Sequence, residues 1–261
     1  MSRAWLNGRL VEAADAQLRI DDAGFMLGDG VFTTTIVRDG RPFALRRNLA
    51  RLLSSATRVG VPAPEASTLV AAVAELLAAD QVQRARLRIS LSSGSAGRPT
   101  AVVSHHPLGV LPATASVVTL PWRRNADGAL AGVKSPSFGE WALVQRHLAA
   151  LGVDEGLFAT TSGDLCEGGV SNIFLGVGGR LVTPPLSSGC LPGVTRALIC
   201  EQLPVIEQAL PMSVLAGAEE AFLTSAIRGV QPISLIDRRV LALAPGPLTV
   251  AAAAALASVD E

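Results

Sequence analysis

Lys134, in AGVKSP (131–136), is the only lysine among 261 residues; the other 21 of the 22 basic residues are arginine. A guanidinium stays charged at any physiological pH, whereas an ammonium can be pushed to give up its proton. A neutral amine is a nucleophile and condenses with carbonyls. One position that keeps an amine in an arginine-biased chain therefore points to amine chemistry. Two further stretches carry reactive or ion-binding groups. In GDLCEGGVSNIFLG (163–176), Glu167 stands at the end of a predicted strand, before two glycines that allow a tight turn. In LPGVTRAL (191–198), the amides of Val194 and Thr195 and the Thr195 hydroxyl open a predicted helix, a place that attracts phosphate through free N–H groups and the helix dipole.

Taken singly, Glu167 reads as a solvated turn carboxylate, LPGVTRAL as an ordinary helix start, and Arg51, in NLARLLSSA, as an exposed helix arginine. Taken together, an amine, a carboxylate and an anion cradle match pyridoxal 5′-phosphate. Its aldehyde would bond to Lys134 and its phosphate would sit at the helix start, helped by a basic side chain. A carboxylate paired with the ring nitrogen would keep the pyridine protonated, an electron sink for a carbanion. No GxxxxGK[ST] motif competes for the phosphate.

The elements that must position these groups are legible in outline. WLNGRLV flanks Asn7-Gly8 with apolar residues, a strong hairpin signal. VFTTTIV (31–37) and ARLRISL (85–91) read as strands. Leu45, Leu49, Leu52, Leu53 and Ala56 recur at helical spacing, a second helix is expected at 66–79, and a third at 139–151. SSGSAGRP reads as a glycine-rich loop, and Pro192 as the first residue of a helix. The alanine-rich VAAAAALAS reads as a packed helix. PLGVLPAT, with two prolines and a glycine, reads as a linker. The expectation is an α+β chain of two domains, 1–107 and 115–261, joined by a linker at 108–114.

Composition bounds the function. Net charge is zero, which argues against a nucleic-acid partner, since that needs a basic excess. No run of about 18 apolar residues suggests a membrane span, and the N-terminus lacks the apolar core of a signal peptide. Cys166, Cys190 and Cys200 share no metal-type spacing, and an odd count suggests reduced thiols in the cytoplasm. Three histidines without an HExxH pattern make a metal site improbable.

Seven ordered stretches carry a family likeness: GDGVFTT (28–34), NLARL (48–52), AGVKS (131–135), GVDEGLF (152–158), EGGVSNIF (167–174), LVTPPLSSGCLPGVTR (181–196) and FLTSAIRGVQPI (222–233). On these the chain resembles the class IV, or fold-type IV, pyridoxal phosphate enzymes, which include branched-chain and D-amino-acid aminotransferases and 4-amino-4-deoxychorismate lyase. The resemblance implies a homodimer of two-domain subunits, a small N-terminal α/β domain and a larger β-rich domain, with the cofactor between the domains. It assigns the cofactor's Schiff base to Lys134, the pyridine nitrogen to Glu167, and the phosphate to Arg51, Val194 and Thr195, with Ser225 and Ala226 as further contacts.

Two departures matter. Asn48 replaces the histidine that usually opens the family's NLARL-type motif. The chain has no tyrosine, whereas the aminotransferases place one shortly after the lysine; Phe138 lies near that place. Thr33 and Thr34 also occupy the segment where the branched-chain and D-amino-acid enzymes usually carry glutamate, as the lyases do. By resemblance, Thr34 is the preferred proton relay. The resemblance is thus greatest to aminodeoxychorismate lyase, which releases pyruvate and 4-aminobenzoate for folate biosynthesis. A transaminase of the same family and a non-catalytic cofactor-binding dimer stand as alternatives. A dicarboxylate substrate would call for arginines. Arg98 in the glycine-rich loop is the first candidate, because such a loop can close on substrate, followed by Arg88, Arg123 and Arg228.

Overall fold

The structure is a computed structural model that describes residues 2–259. The chain forms two compact units. The first runs up to Gly109 and includes Val133–Phe138. The second comprises Val110–Gly132 and the chain from Gly139 onward. The expected second domain, 115–261, therefore gives up the segment carrying Lys134 to the first unit. The reason is a pair of long-range hydrogen bonds: the backbone N–H of Phe32 donates to the Lys134 carbonyl at 2.9 Å, and the Ser135 hydroxyl donates to the Gly28 carbonyl at 3.2 Å.

The first unit is built on strands β1 (Arg3–Leu6), β2 (Arg9–Glu12), β3 (Gly30–Arg38), β4 (Arg41–Pro42), β5 (Ala85–Ser95) and β6 (Arg98–His106), with helices α1 (Ala23–Leu27), α2 (Leu45–Val59) and α3 (Ala66–Ala79). The sheet order is β2-β1-β6-β5-β3-β4, and each pairing is antiparallel. Asn7 and Gly8 take φ of 47° and 97°, the left-handed pair that a two-residue hairpin turn needs. The helix spacing read from Leu45 to Ala56 is borne out by α2, which buries Leu49, Leu52 and Ala56. These pack with Leu69, Val73 and Leu76 of α3 and with Val31, Leu87, Ile89, Leu91 and Val103 of the sheet. Side chains alternate along a strand, so Phe32, Thr34, Arg86, Arg88 and Ser90 lie on the other face.

The glycine-rich stretch is not a loop. β5 runs through Ser95, and Ala96 and Gly97, at φ of 50° and 73°, turn it directly into β6, with Ser95 opposite Arg98. The register shifts between Ser92 and Ser95, and Gly94 supplies the close approach such a bulge requires. At φ +69°, an added Cβ there would stand 1.8 Å from the Arg98 carbonyl oxygen. Glycine composition reads as flexibility, but here each glycine or small residue satisfies a hairpin geometry.

The second unit contains β7 (Ala115–Arg124), α4 (Gly139–Leu151), β8 (Glu155–Thr160), β9 (Leu165–Gly168), β10 (Asn172–Val177), β11 (Arg180–Thr183), α5 (Val194–Gln202), β12 (Val205–Glu207), β13 (Glu220–Ser225), β14 (Gly229–Ile236), β15 (Arg239–Val240) and α6 (Pro247–Ala257). Its sheet runs β12-β11-β10-β13-β14-β7-β8-β9, with β15 on β14; β7 is parallel to β8 and β14, and β11 to β12. Phe174 and Phe222 stack at 5.0 Å in the core shared with Ile199 of α5 and Ala252 of α6. Pro192 does not start the helix. Gly193 is the cap of α5, and Pro192 precedes it. Among the described residues no helix is long and apolar enough to cross a membrane, and no cluster of His, Cys, Asp or Glu could hold a metal ion.

Replacing Gly94 by alanine adds a Cβ into backbone at a left-handed position. Overpacking of this kind costs about 1–3 kcal/mol, so a lowered urea midpoint is expected; an unchanged midpoint would contradict the bulge.

Candidate active site

In the first unit the Phe32 ring is the meeting point. The Lys134 Nζ lies 4.7 Å from its centroid and the Arg88 guanidinium 3.7 Å, both distances at which a cation is attracted by an aromatic ring. Phe138 packs against it edge-on, with centroids 5.5 Å apart. Thr34 lies two residues along β3 from Phe32 and is the cross-strand partner of Arg88, so alternation sets it on the face that carries Phe32. The Arg88 Nε donates to the Ser90 hydroxyl at 2.9 Å. Among the described residues this guanidinium meets Ser90 and Phe32 and no carboxylate. Burial, with the neighbouring Arg86, pushes its pKa below the usual arginine value.

Thr33 points to the other side of β3, toward α2. Its hydroxyl donates to the Asn48 side-chain oxygen at 2.9 Å and accepts from Arg51 Nη2 at 3.0 Å. Arg51 is not an exposed helix arginine: burial pulls its pKa down to about 10. Asn48, 1% exposed, also donates its amide to the Ala44 carbonyl at 3.0 Å. The departure at this position thus supplies a buried acceptor that orients both Thr33 and Arg51. Arg98 does not join these groups. It opens β6 beside Trp5, Asn7 and Pro62, in a surface groove of the first unit, and a hairpin strand is not a closing loop.

In the second unit Glu167 is on β9, with its side chain 14% exposed. Its Oε2 accepts the Leu191 N–H at 2.9 Å, and Oε1 lies 3.9 Å from Arg124 Nε. Asn172 on β10 donates to the Leu191 carbonyl at 2.9 Å. Leu191 is therefore held from both sides, and the chain from there leads in three residues to the start of α5. At that start Gly193 makes no side-chain cap, and the first N–H groups of a helix lack intrahelical partners. Val194 and Thr195 are nearly buried. Ser225 ends β13 and its hydroxyl accepts the Arg228 N–H at 3.1 Å, closing the turn that contains Ala226.

Arg228, a candidate for substrate, has another task. It pairs with Glu155 at 3.1 Å and donates to the Gln231 side chain at 2.7 Å. Glu155 is fully buried and also accepts the N–H groups of Gly156 and Gly169 and the Ser171 hydroxyl. The carboxylate thus ties the turn after Glu167 to the turn after Ser225. Burial raises its pKa, against the opposing pull of Arg228. Arg123 is exposed on β7. Cys166, next to Glu167, is buried, and burial and that carboxylate push its thiol up to about 12, which removes it from nucleophilic chemistry.

Each unit carries groups that suit part of pyridoxal phosphate. In the second, uncapped helix N–H groups and a hydroxyl suit a phosphomonoester and Glu167 suits a pyridine N–H; in the first, the sole amine suits an aldehyde and the buried Arg51 an anion. Sequence reasoning ranked Arg88 below Arg98 because glycines suggested a mobile loop. It did not single out Arg124, Glu140 or Asn172, whose partners are distant in the chain.

The family model for amino-transferase class IV matches residues 30–236. Aminodeoxychorismate lyase of Bacillus subtilis is 28% identical, with 89% of this chain and 86% of that protein covered. Among solved structures, the branched-chain aminotransferase of Thermoproteus uzoniensis with norvaline superposes with a TM-score of 0.91 at 27% identity, covering 98% of this chain and 93% of that one. The PLP-bound form of a hypothetical aminotransferase from Mycobacterium tuberculosis gives 0.89 at 26% identity, covering 98% of each chain.

Removing Arg228 leaves the Glu155 charge buried without its counter-ion. Arg228→Met is expected to lose about 3–5 kcal/mol of stability at neutral pH. A carboxyl whose folded pKa is raised binds its proton more tightly folded than unfolded, so stability falls as pH rises through that window. Chemical denaturation of the variant should therefore show stability recovering on acidification toward the ordinary carboxylate range. A pH-independent loss would contradict this.

Proposed function

Since the chain belongs to the class IV aminotransferase family and is a pyridoxal phosphate-dependent lyase or transaminase, we propose that it is an aminodeoxychorismate lyase, releasing pyruvate and 4-aminobenzoate. The observation that carries the reading is the group around Phe32. The Lys134 amine shares one aromatic ring with Arg88, a guanidinium that meets no carboxylate among the described residues, and a threonine hydroxyl lies on the same strand face. That set suits an amine-bearing substrate with a carboxylate beside the reacting carbon.

When bound, pyridoxal phosphate supplies an aldehyde for amine exchange and a protonated pyridine that stabilises negative charge at carbon. Lys134 would hold that aldehyde and, as a free amine, would take and return a proton as general base and acid. Glu167 would accept from the protonated ring nitrogen. Val194 and Thr195, with Arg51, hold the phosphate, and Ser225 and Ala226 add to it from the turn that Arg228 closes. Arg88 takes a substrate carboxylate, in preference to Arg98, and the Thr34 hydroxyl relays a proton to the departing group. Phe138, where the aminotransferases carry tyrosine, packs on Phe32 and offers no hydroxyl, which favours the lyase. Release of an aromatic product drives that reaction without a second amino-acid substrate. The active form proposed is a cytoplasmic homodimer serving folate precursor synthesis.

The second reading is transamination, favoured by the close superposition on a branched-chain aminotransferase. One pair of assays separates the two. Purified protein given aminodeoxychorismate is expected to release 4-aminobenzoate and pyruvate; steady turnover of amino-acid and keto-acid pairs with no 4-aminobenzoate would establish the second reading instead.

Two variants test the residues. Borohydride reduction of cofactor-loaded protein should leave the pyridoxyl label on Lys134, and Lys134→Arg should lose both label and turnover; a label elsewhere would defeat the assignment. Arg88→Met should raise KM for the carboxylate substrate by roughly 10- to 100-fold, the worth of a charged hydrogen bond of about 1.5–3 kcal/mol, with a smaller change in kcat. An unaltered KM would return the role to another arginine.

A further inference from the structure

Arg124 has none of the roles above, yet it stands beside the carboxylate that matters most in the second unit. It ends β7 with its guanidinium over the Phe158 ring, 4.1 Å from the centroid. Two carboxylates compete for it. Glu140, in the first turn of α4, accepts a hydrogen bond from Nη1. Glu167 presents Oε1 at 3.9 Å from Nε, beyond hydrogen-bond reach. That Nε is buried and has no hydrogen-bond partner among the described residues. The guanidinium is thus seated on Phe158 and drawn toward Glu140, leaving a buried N–H directed to no acceptor while a carboxylate lies just out of range.

The position of Glu140 is suited to this competition. Glu140 stands in the first turn of α4, where the helix dipole favours a negative charge. Attraction between opposite charges grows as distance falls and as water is excluded. A closure of Arg124 by about one ångström, enough to make a hydrogen bond, would neutralise Glu167 much more fully than the present separation does. A carboxylate clamped by a guanidinium is a weaker acceptor for any other cationic N–H.

We propose that Glu140 is a positioning residue: by taking the hydrogen bond of Arg124 it holds that guanidinium off Glu167, so that Glu167 keeps the negative charge with which it binds a protonated ring nitrogen. This rests on the reading that Glu167 faces the pyridine. Arg124 then acts as a limiter on Glu167, and Glu140 sets the limit.

The test compares Glu140→Gln, Arg124→Met and the double variant with the parent protein. Each is loaded with ¹⁵N-labelled pyridoxal phosphate. The ring-nitrogen NMR signal reports protonation, and equilibrium dialysis reports cofactor retention. Glu140→Gln should move the signal toward the neutral pyridine and weaken retention several-fold. Arg124→Met should move both the other way, and the double variant should follow Arg124→Met, because without the guanidinium there is nothing for Glu140 to hold. If the pair is merely structural, both single variants weaken retention together; that result, or a double variant that follows Glu140→Gln, overturns the proposal. Should Arg124→Met fail to fold, as judged by circular dichroism of the apo-protein, Arg124→Gln takes its place under the same criteria. Glu167→Gln separates the two levels. If it leaves the nitrogen signal unchanged, the pyridine role of Glu167 fails and this proposal with it; if it moves the signal while the other variants do not, this proposal alone fails.

Discussion

The hydrogen bond from the Phe32 N–H to the Lys134 carbonyl is the constraint on which the first unit's chemistry depends. It lays residues 133–138 along the edge of β3, although about a hundred residues separate them in the chain. Once that edge is paired, strand periodicity settles the rest. The lysine lies beside Phe32, and residues two apart on β3 and their partners on β5 share its face. The approach is close enough to dictate sequence: a Cβ on Gly28 would stand 2.8 Å from the Ser137 Cα, and one on Gly30 would stand 2.5 Å from the Leu91 carbonyl. Gly28 is therefore a packing requirement of the lysine segment, and Gly30 one of the neighbouring strand β5.

The second unit solves a different problem, which is how to keep charges in a dry setting. Glu155 has four donors and Arg228 has two acceptors, so this buried pair is both charge-matched and hydrogen-bonded. Such a network is costly to interrupt and ties together the turns it touches. Arg124 differs, with its Nε–H unsatisfied among the described residues, as is that of Arg196. Buried unsatisfied donors are rare enough to require a reason. Here the aromatic ring below and Glu140 to the side fix the guanidinium plane, and the plane leaves Nε without an acceptor.

How much of this the sequence disclosed depends on the range of each interaction. The Asn7-Gly8 hairpin, the spacing that gave α2, and the helices at 66–79 and 139–151 were legible because their signals are local. Backbone φ, helical period and turn chemistry act over a few residues. The stretch SSGSAGRP misled for the same reason: glycine is equally suited to a loop, a bulge and a two-residue turn, and only pairing with β6 distinguishes them. The partition of 133–138 was illegible because it rests on a hydrogen bond to a strand far upstream. Arg228 was a substrate candidate by residue type alone; its pairing with Glu155 joins residues 73 positions apart, and nothing near either one in the chain announces it.

The arginine bias itself becomes informative once the contacts are known. Arg38, Arg88 and Arg124 each lie over a phenylalanine ring, at 5.5, 3.7 and 4.1 Å from the centroid. A flat, weakly hydrated guanidinium stacks on such a surface better than an ammonium does. Positions that need a fixed cation on an aromatic platform are thus filled by arginine throughout. Lys134 also lies near a ring, the same ring as Arg88, and there the preference is reversed. The platform alone cannot explain the difference, since it serves both side chains. What the ammonium can do and its neighbour cannot is lose a proton and bond to carbon, so the one exception to the bias falls where the family's chemistry requires it.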